Sequence, residues 1–191
     1  MCQRKSQLRI IAGSLKGKKL FSIPGKKVRP TADRLRESIF NILSFKVSEA
    51  VVLDLFSGTG AFGIESLSRG ARQAVFVEKS REALSVIKRN IQTCALENQA
   101  QVIQWDIAGN LNCLQRIPLR YDLVFMDPPY DRDMIQKGLK NLSHSDCMNP
   151  GGCIVVEHSA SEPIPENTGE FAVFDQRKYG KTLVTFLTSV L

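Results

Sequence analysis

The sequence predicts an α/β domain built on a doubly wound, mostly parallel sheet of seven strands with an antiparallel hairpin at its end. Three observations support this prediction. From residue 50 onward, short apolar runs alternate with segments of helical period. The run at 51–56 is almost wholly apolar, which is typical of a strand buried on both faces of a parallel sheet. The last two runs, 171–174 and 182–187, have no helix between them, so they predict the hairpin.

A small β-hairpin is predicted ahead of this sheet. Two short β-like runs, residues 8–12 and 18–23, are joined by a connection that has Gly13 and Gly17 at its ends, a pattern that favours a hairpin. Pro24 and Gly25 then break the pattern, and residues 26–30 follow as an extended basic linker.

A helix is predicted next. Thr31 is a suitable N-cap, and the helical period continues to about Phe45. Arg34 points away from the apolar face, which is formed by Leu35, Ile39, Ile42 and Leu43. We therefore divide the chain into an N-terminal extension, residues 1–46, and a main domain, residues 47–191.

In the main domain, strands and helices are predicted to alternate. Ser80 is expected to cap a helix that runs to about Cys94. The parallel strands are predicted at 51–56, 74–77, 101–105, 121–126 and 153–157, with helices between them.

Size and composition indicate an ordinary globular protein. The chain has 191 residues, of which 43% are hydrophobic and 24% charged, values close to the average for such proteins. Its apolar runs fall short of the roughly 18 residues needed to span a bilayer, and its polar start has no secretory h-region. We therefore expect no membrane association and a cytoplasmic location.

The residues that commonly bind metals are sparse. Five cysteines are present without a CxxC pair, and the two histidines, His144 and His158, lie far from any ligand-like cluster. We expect reduced thiols that fill the core, and no metal site.

Positive charge is concentrated at the N-terminus. The net charge is +7, yet residues 1–46 carry twelve Lys and Arg against two acidic residues, while the remainder is slightly acidic. A basic segment on an acidic body is typical of an arm that binds a polyanion, so we expect RNA or DNA as a partner.

Acidic residues end three successive predicted strands. Asp54 precedes the glycine-rich turn at 58–63, Glu78 ends the second strand, and Asp106 follows the third. The carboxyl ends of parallel strands form the ligand crevice of an open α/β sheet. Glu78 can accept hydrogen bonds from a ribose diol, and Asp106 can accept one from an adenine amino group, with Trp105 or Ile107 packed near the ring. We expect S-adenosylmethionine, a cation that tolerates several carboxylates.

The same turn also fits a different class of cofactor. Residues 58–63 match the GxGxxG pattern of dinucleotide-binding proteins, and Glu78 lies at the expected distance for that role as well. A nicotinamide-dependent oxidoreductase is therefore the alternative. Asp54 and Asp106 argue against it, since they would face a pyrophosphate unfavourably.

The segment Asp127-Pro128-Pro129-Tyr130 follows the fourth strand directly. Consecutive prolines stiffen the loop, so that the Asp127 side chain and the Pro128 carbonyl can accept the two hydrogens of an exocyclic amine. The Tyr130 ring can stack on the base that carries it. The pattern predicts methyl transfer to a planar amino nitrogen, and it leaves guanine N2 and adenine N6 equally open.

This layout is typical of class I, Rossmann-like methyltransferases. Residues 9–13 and 29–37, together with 54–60, 127–130 and Tyr179-Gly180, resemble the bacterial 16S rRNA guanine-N2 methyltransferases of the RsmD type over almost the whole chain. The resemblance implies that the substrate is the 2-amino group of one guanine in 16S ribosomal RNA, within a small-subunit assembly particle. We expect a monomer.

The candidate site residues form three groups. The catalytic group is Asp127, Pro128, Pro129 and Tyr130. The cofactor-binding group is Asp54, Phe56, Gly58, Gly60, Glu78, Lys79, Asp106 and Ile107. The RNA-binding group, inferred from the basic extension, is Lys16, Lys18, Lys19, Lys26, Lys27, Arg29 and Arg34.

Two further functions remain open. An adenine-N6 methyltransferase of DNA or RNA would use the same loop, although the chain has no inserted target-recognition domain. A non-catalytic RNA-binding protein of ribosome assembly would retain its function without Asp127.

Overall fold

The computed structural model describes residues 7–25, 30–129, 133–165 and 168–190, and these residues form one seven-stranded sheet flanked by helices. The strands are β1 (Val51–Leu55), β2 (Gln73–Glu78), β3 (Ala100–Gln104), β4 (Tyr121–Met126), β5 (Met148–Ser159), β6 (Phe171–Tyr179) and β7 (Thr182–Ser189). The helices are α1 (Pro30–Leu43), α2 (Ala61–Ser68), α3 (Arg81–Cys94) and α4 (Met134–Ser145).

The strand order is β3-β2-β1-β4-β5-β7-β6. Strands β1 to β5 pair in parallel, whereas β7 pairs antiparallel with both β5 and β6. The chain winds outward from β1 to β3, then returns to β4 on the other side of β1. The doubly wound sheet with a terminal hairpin is therefore confirmed, and its switch point lies between β1 and β4.

Both faces of the central strands are covered. Every residue of β1 is buried, as expected for a parallel strand between two layers. One layer packs residues of α1, α2 and α3 on the sheet, and the other packs residues of α4 and of the turn Asn112–Arg116.

Two helix starts were predicted from N-cap residues, and one of the two is confirmed. The Ser80 hydroxyl accepts the Ala83 N–H at 3.3 Å, so the predicted cap of α3 is confirmed. The prediction that Thr31 caps α1 is wrong, because the helix already begins at Pro30. Proline suits a first turn, since its fixed φ is helical and no N–H partner is needed there. On α1, Arg34 is exposed.

Between β3 and β4 the predicted helix is absent. The chain makes only the 3-10 turn Asn112–Arg116, because Gly109 and Pro118 interrupt any longer helical run. β6 is longer than predicted because it continues along its antiparallel partner β7. β5 is longer at both ends: Met148 pairs with Tyr121 of β4 at its start, and residues 158–159 pair with β7 at its end.

The N-terminal arm, defined here as residues 7–25, folds back on itself. The antiparallel pairing is a single bridge between Arg9 and Lys19, so the hairpin is shorter than predicted. The N–H groups of Ile10 and Leu20 donate to the carbonyls of Lys18 and Leu8, both at 2.9 Å.

Buried polar groups of α2 hold this arm. The Glu65 carboxylate, which is fully buried, accepts the N–H groups of Ile11 and Ala12 at 2.7 and 3.0 Å. Its oxygens also lie 2.7 Å from Arg69 Nε and 3.7 Å from Arg36 Nε. Two cations and two backbone donors thus stabilise one buried charge, which fixes the arm against the domain.

The cysteines of the described chain are free thiols, and burial raises the pKa of Cys113 and of Cys153 to about 11. No helix in the described part of the chain is long and apolar enough to cross a bilayer.

Candidate active site

A cleft of about 850 Å³ opens at the carboxyl ends of β1 to β5, where the topology places a ligand crevice. Its walls are formed by Phe56, Gly58, Glu78, Lys79, Ser80, Trp105, Asp106, Ile107, Ala108, Asp127, Pro128, Pro129, Met134 and Glu157.

The turn after β1 forms the floor of the cleft. Phe56 has φ 58°, an uncommon conformation for a residue with a β-carbon, and its side chain lines the cleft. Gly60 has φ 76°, and a β-carbon there would lie 3.3 Å from the Phe76 ring and 3.4 Å from Ile87. Glycine therefore lets the turn lie directly on the core before α2 begins.

Asp54 and Gly60 support the cleft from below, and neither is part of its wall. Asp54 is buried, and its Oδ2 accepts the N–H of Gly63 at 3.0 Å. Gly63 lies in the first turn of α2, where backbone N–H groups have no partner within the helix. Gly60, at the start of that helix, has no side chain to accept this N–H, so the Asp54 carboxylate of the preceding strand β1 accepts it. Burial raises the pKa of Asp54 well above its usual value; the Gly63 N–H opposes this, and the charges of Asp127 and Glu78 add to it.

Glu78 lines the cleft with its carboxylate already oriented. Oε2 accepts the N–H of Gly58 at 3.0 Å, and Oε1 accepts those of Lys79 and Ser80, both at 2.8 Å. Oε2 keeps a further lone pair that can accept a ligand hydroxyl. These three donors fix the carboxylate at the end of β2.

Lys79 and Asp106 face each other at the rim of the cleft. Lys79 Nζ lies 2.5 Å from Asp106 Oδ2, and the two side chains are 71% and 50% exposed. The hydrogen bond from Lys79 lowers the pKa of Asp106, so the carboxylate is ionised at neutral pH. Its Oδ1 also accepts the N–H of Ala108 at 3.2 Å.

Apolar side chains complete this half of the cleft. Trp105 is fixed by a hydrogen bond from its Nε1 to the Asn110 carbonyl at 2.9 Å. The Ile107 carbonyl accepts from Asn141 of α4 at 2.8 Å, which ties the loop after β3 to that helix. A flat heterocycle fits between such walls, with Glu78 and Asp106 available to its polar groups.

The DPP segment begins where β4 ends. Asp127 and Pro129 are exposed, whereas Pro128 is buried, and all three line the cleft. Tyr130, the fourth predicted catalytic residue, lies outside the described residues. The predicted cofactor and amine sites therefore open into a single cleft.

Glu157 was missed by the sequence reasoning. It is half-buried near the end of β5 and lines the cleft with Asp127. The sequence contained the signal, because Glu157 is an acidic residue at the end of the fifth predicted strand, like the acidic residues at the ends of the first three. Ser80, Ala108 and Met134 also line the cleft without having been predicted.

The described residues of the predicted RNA-binding group lie apart from this cleft. Lys16, Lys19 and Arg34 are exposed and Lys18 is half-buried, whereas Lys26, Lys27 and Arg29 lie outside the described residues. The turn of the arm contacts the carboxyl end of α2, where the Ser14 N–H donates to the Ser68 carbonyl at 2.8 Å. That end of α2 is the one farther from the cleft.

The strand order and this cleft at the carboxyl edge of the sheet define a class I methyltransferase. The family model described as "Conserved hypothetical protein 95" matches residues 8–188. The chain belongs to that family, together with the proteins named ribosomal RNA small subunit methyltransferase D.

Two of those relatives cover most of this chain. The one from Haemophilus influenzae is 35% identical over 85% of this chain and 86% of its own length. The one from Escherichia coli strain K12 is 30% identical over 92% and 86%. Among solved structures, the Escherichia coli protein yhhF superimposes with a TM-score of 0.84 at 28% identity, covering 96% of this chain and 98% of that one.

Proposed function

We propose that this protein transfers a methyl group from S-adenosylmethionine to the exocyclic 2-amino group of a guanine in 16S ribosomal RNA. One observation carries the proposal: Glu78 and Asp106 line the same cleft as the DPP segment. The names of the relatives, ribosomal RNA small subunit methyltransferase D, support ribosomal RNA of the small subunit as the substrate.

The residues that line the cleft at the ends of β2 and β3 fit S-adenosylmethionine. The Glu78 carboxylate is fixed by three backbone donors, and its Oε2 can accept one of the ribose hydroxyls. Asp106 can accept from the adenine amino group, and Trp105 and Ile107 provide apolar surface for the ring. The carboxylates of this cleft favour a cationic ligand and disfavour a pyrophosphate, which argues against a nicotinamide cofactor.

The residues that line the cleft after β4 suit the planar amino group of a nucleobase. Asp127 and the Pro128 carbonyl can each accept one N–H of the amino group, so that the nitrogen lone pair turns out of the ring plane toward the cofactor. When bound, S-adenosylmethionine supplies an electrophilic methyl group on a positively charged sulfur. Holding nitrogen, methyl and sulfur in line can contribute about 7–11 kcal/mol toward the barrier. Asp127 acts as an orienting acceptor and can take up the proton that the nitrogen loses.

In this proposal the N-terminal extension, residues 1–46, binds the RNA. The exposed Lys16 and Lys19 of the described arm, with the other basic residues of the extension, would contact phosphates. We further propose that the protein acts as a monomer in the cytoplasm on a small-subunit assembly particle. Separation by size with and without such particles tests whether the protein is a monomer and whether it binds the particle.

Nucleoside mass spectrometry of ribosomal RNA from a strain lacking the gene tests the reaction. We expect loss of N2-methylguanosine from the small-subunit RNA, restored by the purified protein with S-adenosylmethionine. A control strain expressing the Asp127→Ala variant should resemble the deletion. An unaltered nucleoside profile in the deletion strain would refute the proposal.

A further inference from the structure

We infer that Glu157 determines the choice of guanine over adenine, by accepting the N1–H of the target base beside the amino group that Asp127 holds. The inference rests on the proposed methyl transfer and adds a specificity-determining residue to it.

The register of the sheet sets Glu157 beside Asp127. Strands β4 and β5 pair in parallel with Met126 opposite Val156. The next residues are Asp127, directly after the end of β4, and Glu157 of β5. Neighbouring strands lie about 4.8 Å apart. The two carboxylates therefore start from adjacent backbone positions and line the same cleft.

The burial pattern of β5 singles out Glu157. Val155, Val156 and His158 are buried, whereas Glu157 is only half-buried. Because its neighbours on the strand are enclosed, the cleft is where this carboxylate meets solvent.

The strand order places Glu157 on the base side of the cleft. The ends of the strands follow one another as β3, β2, β1, β4 and β5, which separates the first from the last by about 19 Å at the usual strand spacing. Asp106 and Glu78 lie at the β3 and β2 end, and Asp127 and Glu157 at the β4 and β5 end. Glu157 is thus on the far side of the DPP segment from the residues that suit the nucleoside of the cofactor.

The chemistry of the two purines then decides what this carboxylate can recognise. Guanine presents its N1–H donor directly beside the 2-amino group, whereas adenine presents a bare N1 acceptor beside its 6-amino group. With the amine held by Asp127 and the Pro128 carbonyl, an ionised Glu157 can accept the guanine N1–H. Against adenine it would face a lone pair, leaving two acceptors in contact. A site built around such a donor strongly rejects a ligand that lacks it.

Reconstituted small-subunit particles test the inference. Mass spectrometry first locates the methylated guanine, and particles are then assembled with either guanine or 2-aminopurine at that position. Both bases carry the 2-amino group, but 2-aminopurine has an acceptor at N1. The readout is kcat/KM for methyl transfer by the native protein, by Glu157→Gln and by Glu157→Asp. Glu97→Gln, which removes an exposed carboxylate outside the cleft, is the matched control.

We expect the native protein and the Glu97→Gln variant to prefer guanine strongly. Glu157→Gln should narrow that preference by roughly 10- to 100-fold, because its amide can donate to the N1 of 2-aminopurine. Glu157→Asp should keep the preference at a lower rate, since it retains the carboxylate. Affinity for S-adenosylhomocysteine, measured by calorimetry, should be unchanged in all variants.

Three results would overturn the inference. Equal losses on both substrates in Glu157→Gln would show that Glu157 does not sense N1. A weakened affinity for S-adenosylhomocysteine in that variant would assign the carboxylate to the cofactor. Failure of the native protein to methylate guanine would instead refute the proposed function itself, and this inference with it.

Discussion

The side-chain amide of Asn90 forms a pair of hydrogen bonds with the backbone of Phe21. Asn90 Oδ1 accepts the Phe21 N–H at 2.7 Å, and Nδ2 donates to the Phe21 carbonyl at 3.1 Å. Nδ2 also donates to the carbonyl of Thr59, at 2.9 Å, in the glycine-rich turn. A single buried residue of α3 thus connects the N-terminal arm to the floor of the active-site cleft.

Replacing Asn90 should weaken both structures that it joins. Asn90→Leu keeps the branched shape of the side chain, replaces the amide with two methyl groups and leaves backbone groups of Phe21 and Thr59 without partners. We expect the free energy of unfolding to fall by about 2–3 kcal/mol and the affinity for S-adenosylhomocysteine to fall with it. Urea unfolding and calorimetry measure the two effects. Asn98→Ala, on an exposed turn, should change the unfolding energy by less than about 0.5 kcal/mol; an equal effect of both variants would contradict the prediction.

Two glycines of the arm form a matched pair. Gly13 has φ 83° and Gly17 has φ 82°, but a β-carbon at Gly13 would lie 1.8 Å from the Ser68 carbonyl oxygen, whereas at Gly17 nothing lies within 4 Å. Gly17→Ala should therefore cost only the left-handed strain of about 1–2 kcal/mol.

Gly13→Ala should cost that strain and about 1–3 kcal/mol more, since the arm must move off α2. Thermal unfolding of both variants checks the difference. The prediction fails if the two alanine variants are equally stable.

Asp127 should act as a hydrogen-bond acceptor and not as an obligatory base. Replacing it with alanine and with asparagine distinguishes the two roles. Asp127→Ala removes the acceptor, and we expect methyl transfer to fall about 100- to 1,000-fold. Asp127→Asn keeps one acceptor oxygen and should retain far more activity. Single-turnover assays measure the rates, with S-adenosylhomocysteine affinity as the folding control. Equal losses in both variants would show that the ionised carboxylate itself is required.

The buried Asp54 should make stability depend on pH. Its pKa in the folded protein is raised well above the usual value near 3.8, chiefly by burial. Folding therefore favours the protonated form, and the stability it contributes is present below the unfolded pKa and lost as pH rises through the folded one.

Asp54→Asn resembles the protonated acid and cannot titrate. Relative to this variant, the native protein should lose up to about 1.4 kcal/mol of unfolding free energy per pH unit between the pKa of Asp54 in the unfolded chain and its raised pKa in the folded protein. Urea unfolding at a series of pH values above about 4 measures the difference. A constant difference across the series would contradict the assignment.

The exposed lysines of the arm should contribute to RNA affinity. The double variant Lys16→Gln, Lys19→Gln should bind small-subunit RNA more weakly and reduce the slope of log affinity against log salt by up to about 2. Affinity for S-adenosylhomocysteine should not change. Arg116→Gln with Lys140→Gln, two exposed cations on the elements that cover the opposite face of the sheet, is the charge-matched control. The arm would lose its assigned role if both pairs had the same effect.

Much of the fold follows from local pattern. β4 begins and ends where its apolar run does, and Ser80 caps α3 as predicted, because burial on two faces and helix capping both leave short-range signals. The lengths of β5 and β6 do not follow in this way, since they depend on pairing with the neighbouring strands β4 and β7, and such pairing has no local signature.

The candidate site was likewise predicted in part from the sequence. Glu78, Asp106 and the DPP segment were expected at one edge because strand ends meet there, and they line one cleft. The position of Asp54 beneath the turn could not be read from its place in the sequence, because Asp54 and Glu78 both belong to strand ends. Which of the two acids is enclosed depends on the packing of α2.

The contacts that fix the arm also set the order in which the chain can fold during synthesis. Ile11 finds its carboxylate partner 54 residues later, and Phe21 finds its amide partner 69 residues later. The arm is synthesised before α2 and α3, so it has no docking partner until both helices have left the ribosome. Such long sequence separations slow folding. A nascent chain therefore carries its most basic segment undocked, close to the RNA of the ribosome that is making it.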